Sequence, residues 1–391
     1  MVERLKIIVA EDNAVQRLYL SKLIESLGYE AIPVDDGRAA IQQLVEAKIQ
    51  IVISDYQMPN MDGIQLTQAV RALELDHYVY IIMITGSENE ELRSKALDAG
   101  VDDFLAKTRS PMRLNARIRA ATRLIQHADE LAERTRILKE SNDRIQADLR
   151  AAAAAQRRLL PDFKEEMSGF DISSAFVPSS FVSGDMFGCF PLNDDTLGFY
   201  MIDVSGHGVH ASLLSVALGY LITPEFFRTF ALREGQPPDP AALVANLNDR
   251  FFSPENDEYF TMFCGVIDTA SGELTYCQAA YPSPCYVDES GAVDMVGDGG
   301  FPVAMLPSLT YENNTIHLAK GCTLVVCSDA VTQAENEMGT SFGLDRLKRM
   351  VATMPFVGAK QMPETIVQSL SDWRGGNTLE DDLTVVALNR N

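Results

Sequence analysis

The chain has 391 residues and a formal net charge of −22, enough length for two or three domains that each bury a core. No run of about 18 apolar residues occurs, so the sequence offers no membrane-spanning helix and no membrane partner is expected. Acidity of this degree also disfavours nucleic acid, because that affinity rests on neutralising phosphates.

The first 110 residues alternate short apolar runs with amphipathic stretches. Runs at 5–10, 51–54 and 80–84 read as buried parallel strands, and stretches at 15–27, 37–47, 64–73 and 90–99 read as the helices between them. The runs lead into residues of marked chemistry: Glu11 and Asp12, then Asp55, then Thr85, with Lys107 further on. In an open doubly wound sheet, ligands sit beyond the carboxyl ends of the strands. These residues therefore converge on one pocket. Three carboxylates repel one another unless a hard cation such as Mg2+ joins them. A lysine and a hydroxyl nearby suit a phosphoryl group on Asp55.

The segments "AEDN", "VISDYQMPNMDG", "MITGSE" and "DDFLAK" resemble the receiver domain of two-component response regulators, a flavodoxin-like α/β fold, over residues 1–122. The resemblance implies that Asp55 is the phosphoacceptor and that Mg2+ is held by Glu11, Asp12, Asp55 and the Gln57 carbonyl. It implies Thr85 and Lys107 as phosphoryl contacts and Phe104 as the switch aromatic. A sensor histidine kinase or phosphotransfer protein is then the phosphodonor. Thr108 stands where receivers usually carry proline.

Pro111 and Pro161 bracket a segment, 112–160, without glycine or proline. This predicts one long helix, continuous with the last receiver helix. Leu124, Leu131, Leu138 and Ile145 recur every seven residues, with Ala128, Thr135, Asn142, Leu149 and Gln156 four residues after seam positions. That is a heptad with leucine-rich d positions and mixed a positions, and Asn142 at an a position favours a two-stranded parallel register. Leu114, Ile118 and Ala121 extend the seam upstream through a three-residue step. The expectation is a helical coiled-coil linker and a parallel homodimer. Its basic residues alternate with acids, which marks a solvated helix face.

Beyond residue 161 the pattern becomes short strand-like runs, at 197–204, 259–268, 272–280, 322–327 and 383–388, with helices at 211–221 and 240–251. An α+β domain of two sheets with flanking helices follows over 161–391. Its acids again border strands: Asp185, Asp203, Asp329 and the pair Asp381–Asp382. No Cys or His joins them as a softer ligand. All-oxygen sites prefer Mg2+ or Mn2+, and two such ions activate water and stabilise the leaving oxygen of a phosphate ester. The six cysteines all lie in this half without a CxxC pair, which reads as reduced core thiols in a cytoplasmic protein. The opening "MVERLKIIVA" lacks a signal-peptide pattern.

"DVSGHGVHASLL", "SDA" and "DDLTVVAL" resemble the SpoIIE-type branch of the PPM metal-dependent serine/threonine phosphatases, across about 155–389. The resemblance implies two metal ions. Asp203 would bridge both, the Val204 carbonyl would bind the second, and Asp329 and Asp381 would bind the first. Asp382 is the adjacent motif acid, and Asp185 corresponds to the outer acid that holds a water at the metal. His207, in the Gly206–Gly208 loop before a helix, is a candidate general acid; capping or packing is its structural alternative. The family pattern is broken at three places: Gly188 where a second acid is usual, Ala330 for a glycine, and Gln333 for a glutamate.

Together these features predict a cytoplasmic response regulator with a protein phosphatase output. The resemblance implies a phosphoserine or phosphothreonine protein substrate of the anti-sigma-factor-antagonist kind, in a partner-switching stress pathway. The competing reading is a non-enzymatic adaptor whose degenerate phosphatase domain binds a regulatory protein.

Overall fold

The computed structural model describes residues 4–391 except 76, 87–89, 108–109, 164–166, 207, 234, 256, 354–358 and 377–378. The chain divides into two compact units, residues 1–143 and 144–391.

In the first unit, β1 (Lys6–Ala10), β2 (Glu30–Val34), β3 (Ile51–Asp55), β4 (Tyr80–Thr85) and β5 (Asp103–Ala106) form a parallel sheet in the order 2-1-3-4-5. The order reverses between β1 and β3, so a crevice opens at their carboxyl ends. Strand β3 is buried along its whole length, and β1 and β4 at all but one end residue each, whereas β2 buries only Val34 and carries Pro33 on the sheet edge, where a missing N–H is tolerated. One face is covered by α1 (Ala14–Ser26) and the start of α5 (Pro111–Arg157), through Ile24, Leu114, Ile118, Ala121 and Ile125. The other is covered by α2 (Gly37–Glu46) and α3 (Gly63–Ala72), through Ala40, Leu44, Leu66 and Val70. Helix α4 (Glu90–Asp98) packs Ala96 against Met83. Asn13, Asp36 and Asp62 cap α1, α2 and α3, and Asp62 forms a full capping box with Gln65.

Helix α5 is 47 residues long. Its predicted seam is divided in use. Leu114, Ile118 and Ala121 are receiver core rather than seam, because their side chains meet the sheet. Gln156 is 2% exposed and is held inside the second unit: its amide donates to Ser183 O and Ser215 Oγ and accepts the Ser183 N–H. Between these ends Leu124, Leu131, Ile137, Leu138 and Ile145 are all more than half exposed.

The second unit is a four-layer sandwich. One antiparallel sheet has the order 13-10-9-8-7, from β7 (Asp185–Asn193), β8 (Thr196–Val204), β9 (Phe260–Asp268), β10 (Glu273–Ala279) and β13 (Asn314–His317). The other has the order 12-11-14-15-6, from β6 (Phe170–Val177), β11 (Cys285–Val287), β12 (Val293–Met295), β14 (Thr323–Cys327) and β15 (Leu383–Arg390). Phe187, Phe199, Met201, Phe263, Val326 and Val386 interdigitate between the sheets. The outer face of the first is covered by α6 (Val209–Leu221), α7 (Pro224–Phe230) and α8 (Pro240–Phe251). The second is covered by the short α9 (Ala330–Gln333), α10 (Leu344–Ala352) and α11 (Met362–Trp373). All six cysteines are buried and unpaired. Among the described residues no single helix is long and apolar enough to cross a membrane.

Candidate active site

In the receiver unit the strand ends bring the predicted residues together. Lys107 Nζ donates to Asp55 Oδ2 at 2.6 Å and lies 3.5 Å from Glu11 Oε2. The Tyr56 N–H donates to Asp55 Oδ1 at 2.8 Å. Burial, and then the Asp55 charge, pushes the Glu11 carboxyl above its ordinary range. Burial pulls the Lys107 ammonium down, but the Asp55 hydrogen bond and the charges of Asp55 and Glu11 outweigh it and hold it above its ordinary value. Glu11, Asp12 and Asp55 each place one carboxylate oxygen within 4.8 Å of the others, and Glu11 Oε2 has no hydrogen-bond partner. Three hard oxygens, one of them met only by the Lys107 ammonium at 3.5 Å, fit Mg2+. Thr85 ends β4, and its carbonyl accepts the Lys107 N–H. Phe104 is half-buried on β5 with the Arg93 guanidinium 5.6 Å from its ring centre. Gln57 is exposed two residues past Asp55, and Thr108 lies outside the described residues.

In the second unit the β7–β8 register sets Asp185 directly opposite Asp203. Like charges in that relation destabilise a sheet unless something neutralises them. Asp329 lies two residues beyond the end of β14, and Asp381 and Asp382 precede β15, which pairs with β14. Burial, and then the charges of Asp329, Asp381 and Asp382, pushes the Asp203 carboxyl up to about 8. Burial, and then the Asp203 charge, lifts Asp185 well above its ordinary range. Burial, and then the Asp381 charge, raises Asp329. Thr384 Oγ1 donates to Asp185 Oδ2, tying the two sheets together at the cluster. Asp185 Oδ1 and Asp329 Oδ1 are buried without a hydrogen-bond partner. Orphaned anionic oxygens among mutually repelling carboxylates are the signature expected of a cation site, and the donor set fits Mg2+ or Mn2+. The Val204 carbonyl packs beside Gly184, where a Cβ would come within 3.1 Å of it. His207 lies outside the described residues.

Asp382 stands apart. Its Oδ2 accepts the Gly184 N–H, and its Oδ1 accepts the N–H and hydroxyl of Ser179. It staples the loop that leads into Asp185.

The three departures from the family pattern have local reasons. At Gly188 a Cβ would meet the Tyr200 ring at 2.5 Å, so an acid has no room there. Asp329 has helical backbone angles, and Ala330 opens α9 without entering the left-handed region, so a glycine is not required. Gln333 Nε2 donates to Asp329 Oδ2 at 2.9 Å and orients that carboxylate.

Two participants gave no sequence signal. Thr384 reaches Asp185 from 199 residues away. Tyr281, 1% exposed, has a hydroxyl without a partner; burial raises its phenol, and the charges of Asp185 and Asp203 add to this.

Comparison with known proteins agrees with both halves. Residues 193–391, just over half of the chain, match the family "Stage II sporulation protein E (SpoIIE)", and residues 7–119 match the response regulator receiver domain. Protein IcfG of Synechocystis sp. is 25% identical over 285 residues, covering 66% of this chain and 44% of the relative. The phosphate regulon transcriptional regulatory protein PhoB of Escherichia coli is 31% identical over 120 residues, covering 31% of this chain and 52% of the relative. The chain thus spans about half or less of each of these curated relatives. The SiaA-PP2C domain of Pseudomonas aeruginosa superposes with a TM-score of 0.56 at 21% identity, covering 64% of this chain and 99% of that one, a likeness of fold. The chain belongs to the SpoIIE family, with a response regulator receiver domain followed by a domain of PP2C-like fold.

Proposed function

We propose that this protein is a response regulator whose output is metal-dependent hydrolysis of phosphoserine or phosphothreonine in a partner protein. The observation that carries this is the acid cluster at converging strand ends, with two buried carboxylate oxygens left without partners. Asp203, Asp329, Asp381 and the Val204 carbonyl would hold two Mg2+ or Mn2+ ions. When bound, these ions supply an activated water and stabilise the charge on the phosphate ester. Asp185 would position that water, itself fixed by Thr384.

Glu11, Asp12, Asp55 and the Gln57 carbonyl would hold Mg2+ in the receiver, and a histidine kinase or phosphotransfer protein would load Asp55. Thr85, Phe104 and Lys107 would register the phosphoryl group. The family resemblance supports an anti-sigma-factor antagonist as the substrate class and a cytoplasmic location. The exposed leucine row of α5 supports a parallel homodimer through 112–160. The intact Asp329 geometry favours this reading over a non-enzymatic adaptor.

The test is turnover of a phosphoserine protein under saturating Mn2+, with and without acetyl phosphate. Wild type should hydrolyse it, and Asp203→Asn should lose about a hundredfold or more, since each 1.36 kcal/mol of lost transition-state stabilisation is tenfold in rate. Asp55→Ala should abolish any response to acetyl phosphate. Equal rates for wild type and Asp203→Asn would replace the enzyme with the adaptor.

A further inference from the structure

Two arginines of the chain are nearly fully buried among the described residues, and they are treated differently. Arg390, 7% exposed, donates to the carbonyls of Ala270, Ser271 and Leu318. Arg374, 6% exposed, ends α11, and its backbone N–H donates to the Leu370 carbonyl. Among the described residues its guanidinium makes no hydrogen bond and no ion pair within 4.0 Å, and its nitrogens still touch solvent. The stem of Arg374 is buried while its unpaired head group is left to meet a ligand. The dipole of α11 favours a cation at this end.

What Arg374 faces is a cavity of about 550 Å³. Gln333, Asn336, Ser341, Glu380 and Asp381 line it with Arg374. Two of these belong to the acid cluster: Asp381, a candidate metal ligand, and Gln333, which orients Asp329. The cavity therefore opens beside the reacting centre. Arg374 is the one cationic side chain among the residues that line it. An oxyanion satisfies it, and the planar fork of arginine matches phosphate or carboxylate oxygens two at a time. Glu335, Glu380 and Asp381 on the same walls repel an anion that does not reach the guanidinium.

We propose that Arg374 is the substrate-binding arginine of this site and that its cavity takes an oxyanion of the phosphoprotein. That oxyanion is either the phosphoryl group itself or an acidic side chain flanking the phosphorylated residue. The proposal rests on the phosphatase reading and adds the determinant of substrate recognition.

The experiment uses the full chain with Mn2+. Values of kcat and KM are measured for an aryl phosphate, a phosphoserine peptide with acidic flanks and one with alanine flanks. Arg374→Gln should raise KM roughly ten- to hundredfold, the range for hydrogen bonds to charged groups. If the phosphoryl group is the ligand, all three substrates are affected alike. If a flanking acid is the ligand, only the acidic peptide is affected. Arg374→Lys should restore part of the loss, because an ammonium keeps the charge without the fork. Ser341→Asp, at an exposed position of the same cavity, leaves Arg374 in place and supplies a competing carboxylate. It should raise KM while leaving thermal unfolding unchanged, which keeps the claim decidable if Arg374→Gln does not fold. Inorganic phosphate should raise the unfolding temperature of wild type more than that of Arg374→Lys, and should not raise that of Ser341→Asp. Unchanged KM for every substrate in folded Arg374→Gln, or in Ser341→Asp, would overturn the proposal. A wild type that turns over no substrate instead removes the phosphatase reading, and the phosphate-induced shift still decides whether Arg374 binds an oxyanion.

Discussion

Both carboxylate oxygens of Asp382 are committed to one loop: Oδ2 accepts the Gly184 N–H at 2.7 Å and Oδ1 accepts the Ser179 N–H at 2.7 Å. Residue 382 thereby fixes the backbone that delivers Asp185 to the cluster. An asparagine here offers one acceptor oxygen and turns an NH2 toward an N–H donor. Asp382→Asn should destabilise the C-terminal unit by about 1–3 kcal/mol, the cost of leaving a buried donor unsatisfied. Thermal unfolding checks this. An unfolding temperature equal to that of wild type would mean that the loop holds itself.

The raised carboxyl of Asp203 sets a pH dependence. Its folded value is about 8 against an ordinary 3.8. The folded, metal-free protein therefore keeps a proton that the unfolded chain releases. The associated stability is full below about pH 4 and is lost as pH rises toward 8. In chelator, the unfolding temperature of the C-terminal unit should fall across this window more steeply in wild type than in Asp203→Asn. Adding Mn2+ should reverse the order, because the cation replaces the proton. Parallel pH profiles in chelator would contradict the crowding of acids around Asp203.

Gln333 holds Asp329 through a single hydrogen bond of 2.9 Å. Groups that orient a metal ligand typically contribute 10–100-fold in affinity. Gln333→Leu should weaken Mn2+ binding by roughly that factor, as read by calorimetric titration. An unaltered dissociation constant would show that Asp329 orients without help.

Along α5 the exposed leucines should pair two chains. Sedimentation of wild type, with and without acetyl phosphate, should show a dimer in at least one state. Leu131→Asp combined with Leu138→Asp should be monomeric in both, since unpaired charges on a buried seam are costly. A wild type that stays monomeric in both states at high concentration would leave the row a solvated face.

Much of this is legible in the sequence because the core strands are almost wholly buried. Strands β1, β3 and β4 are apolar blocks without alternation, and each carries its functional residue at the end. Strand β2 escaped notice because an edge strand with Pro33 and one buried side chain shows neither a block nor an alternation. In the second unit β8, β9, β10, β14 and β15 were legible for the same reason as β1. Strands β11, β12 and β13, of three or four residues, were too short to carry a period. Helices α10 and α11 went unrecognised, although both are amphipathic. Gln156 fitted a heptad position, and only its contact with Ser183 shows that it serves the phosphatase unit. The acids Asp203, Asp329 and Asp381 could be named from motifs. The roles of Asp382, Gln333 and Thr384 depend on partners brought close by folding, and no local pattern encodes them.

The distribution of cysteine gives the molecule a built-in clock. Every thiol lies between Cys189 and Cys327, all are buried, and the receiver has none. Burial pushes Cys189 and Cys277 up to about 12 and Cys285 up to about 11, so these thiols are inert while enclosed. An alkylating reagent added to the intact chain therefore reacts at the pace at which the sandwich opens, with no signal from receiver breathing. Effector ions, phosphorylation and substrate can each be ranked by how far they slow that reaction, in one tube and without a label.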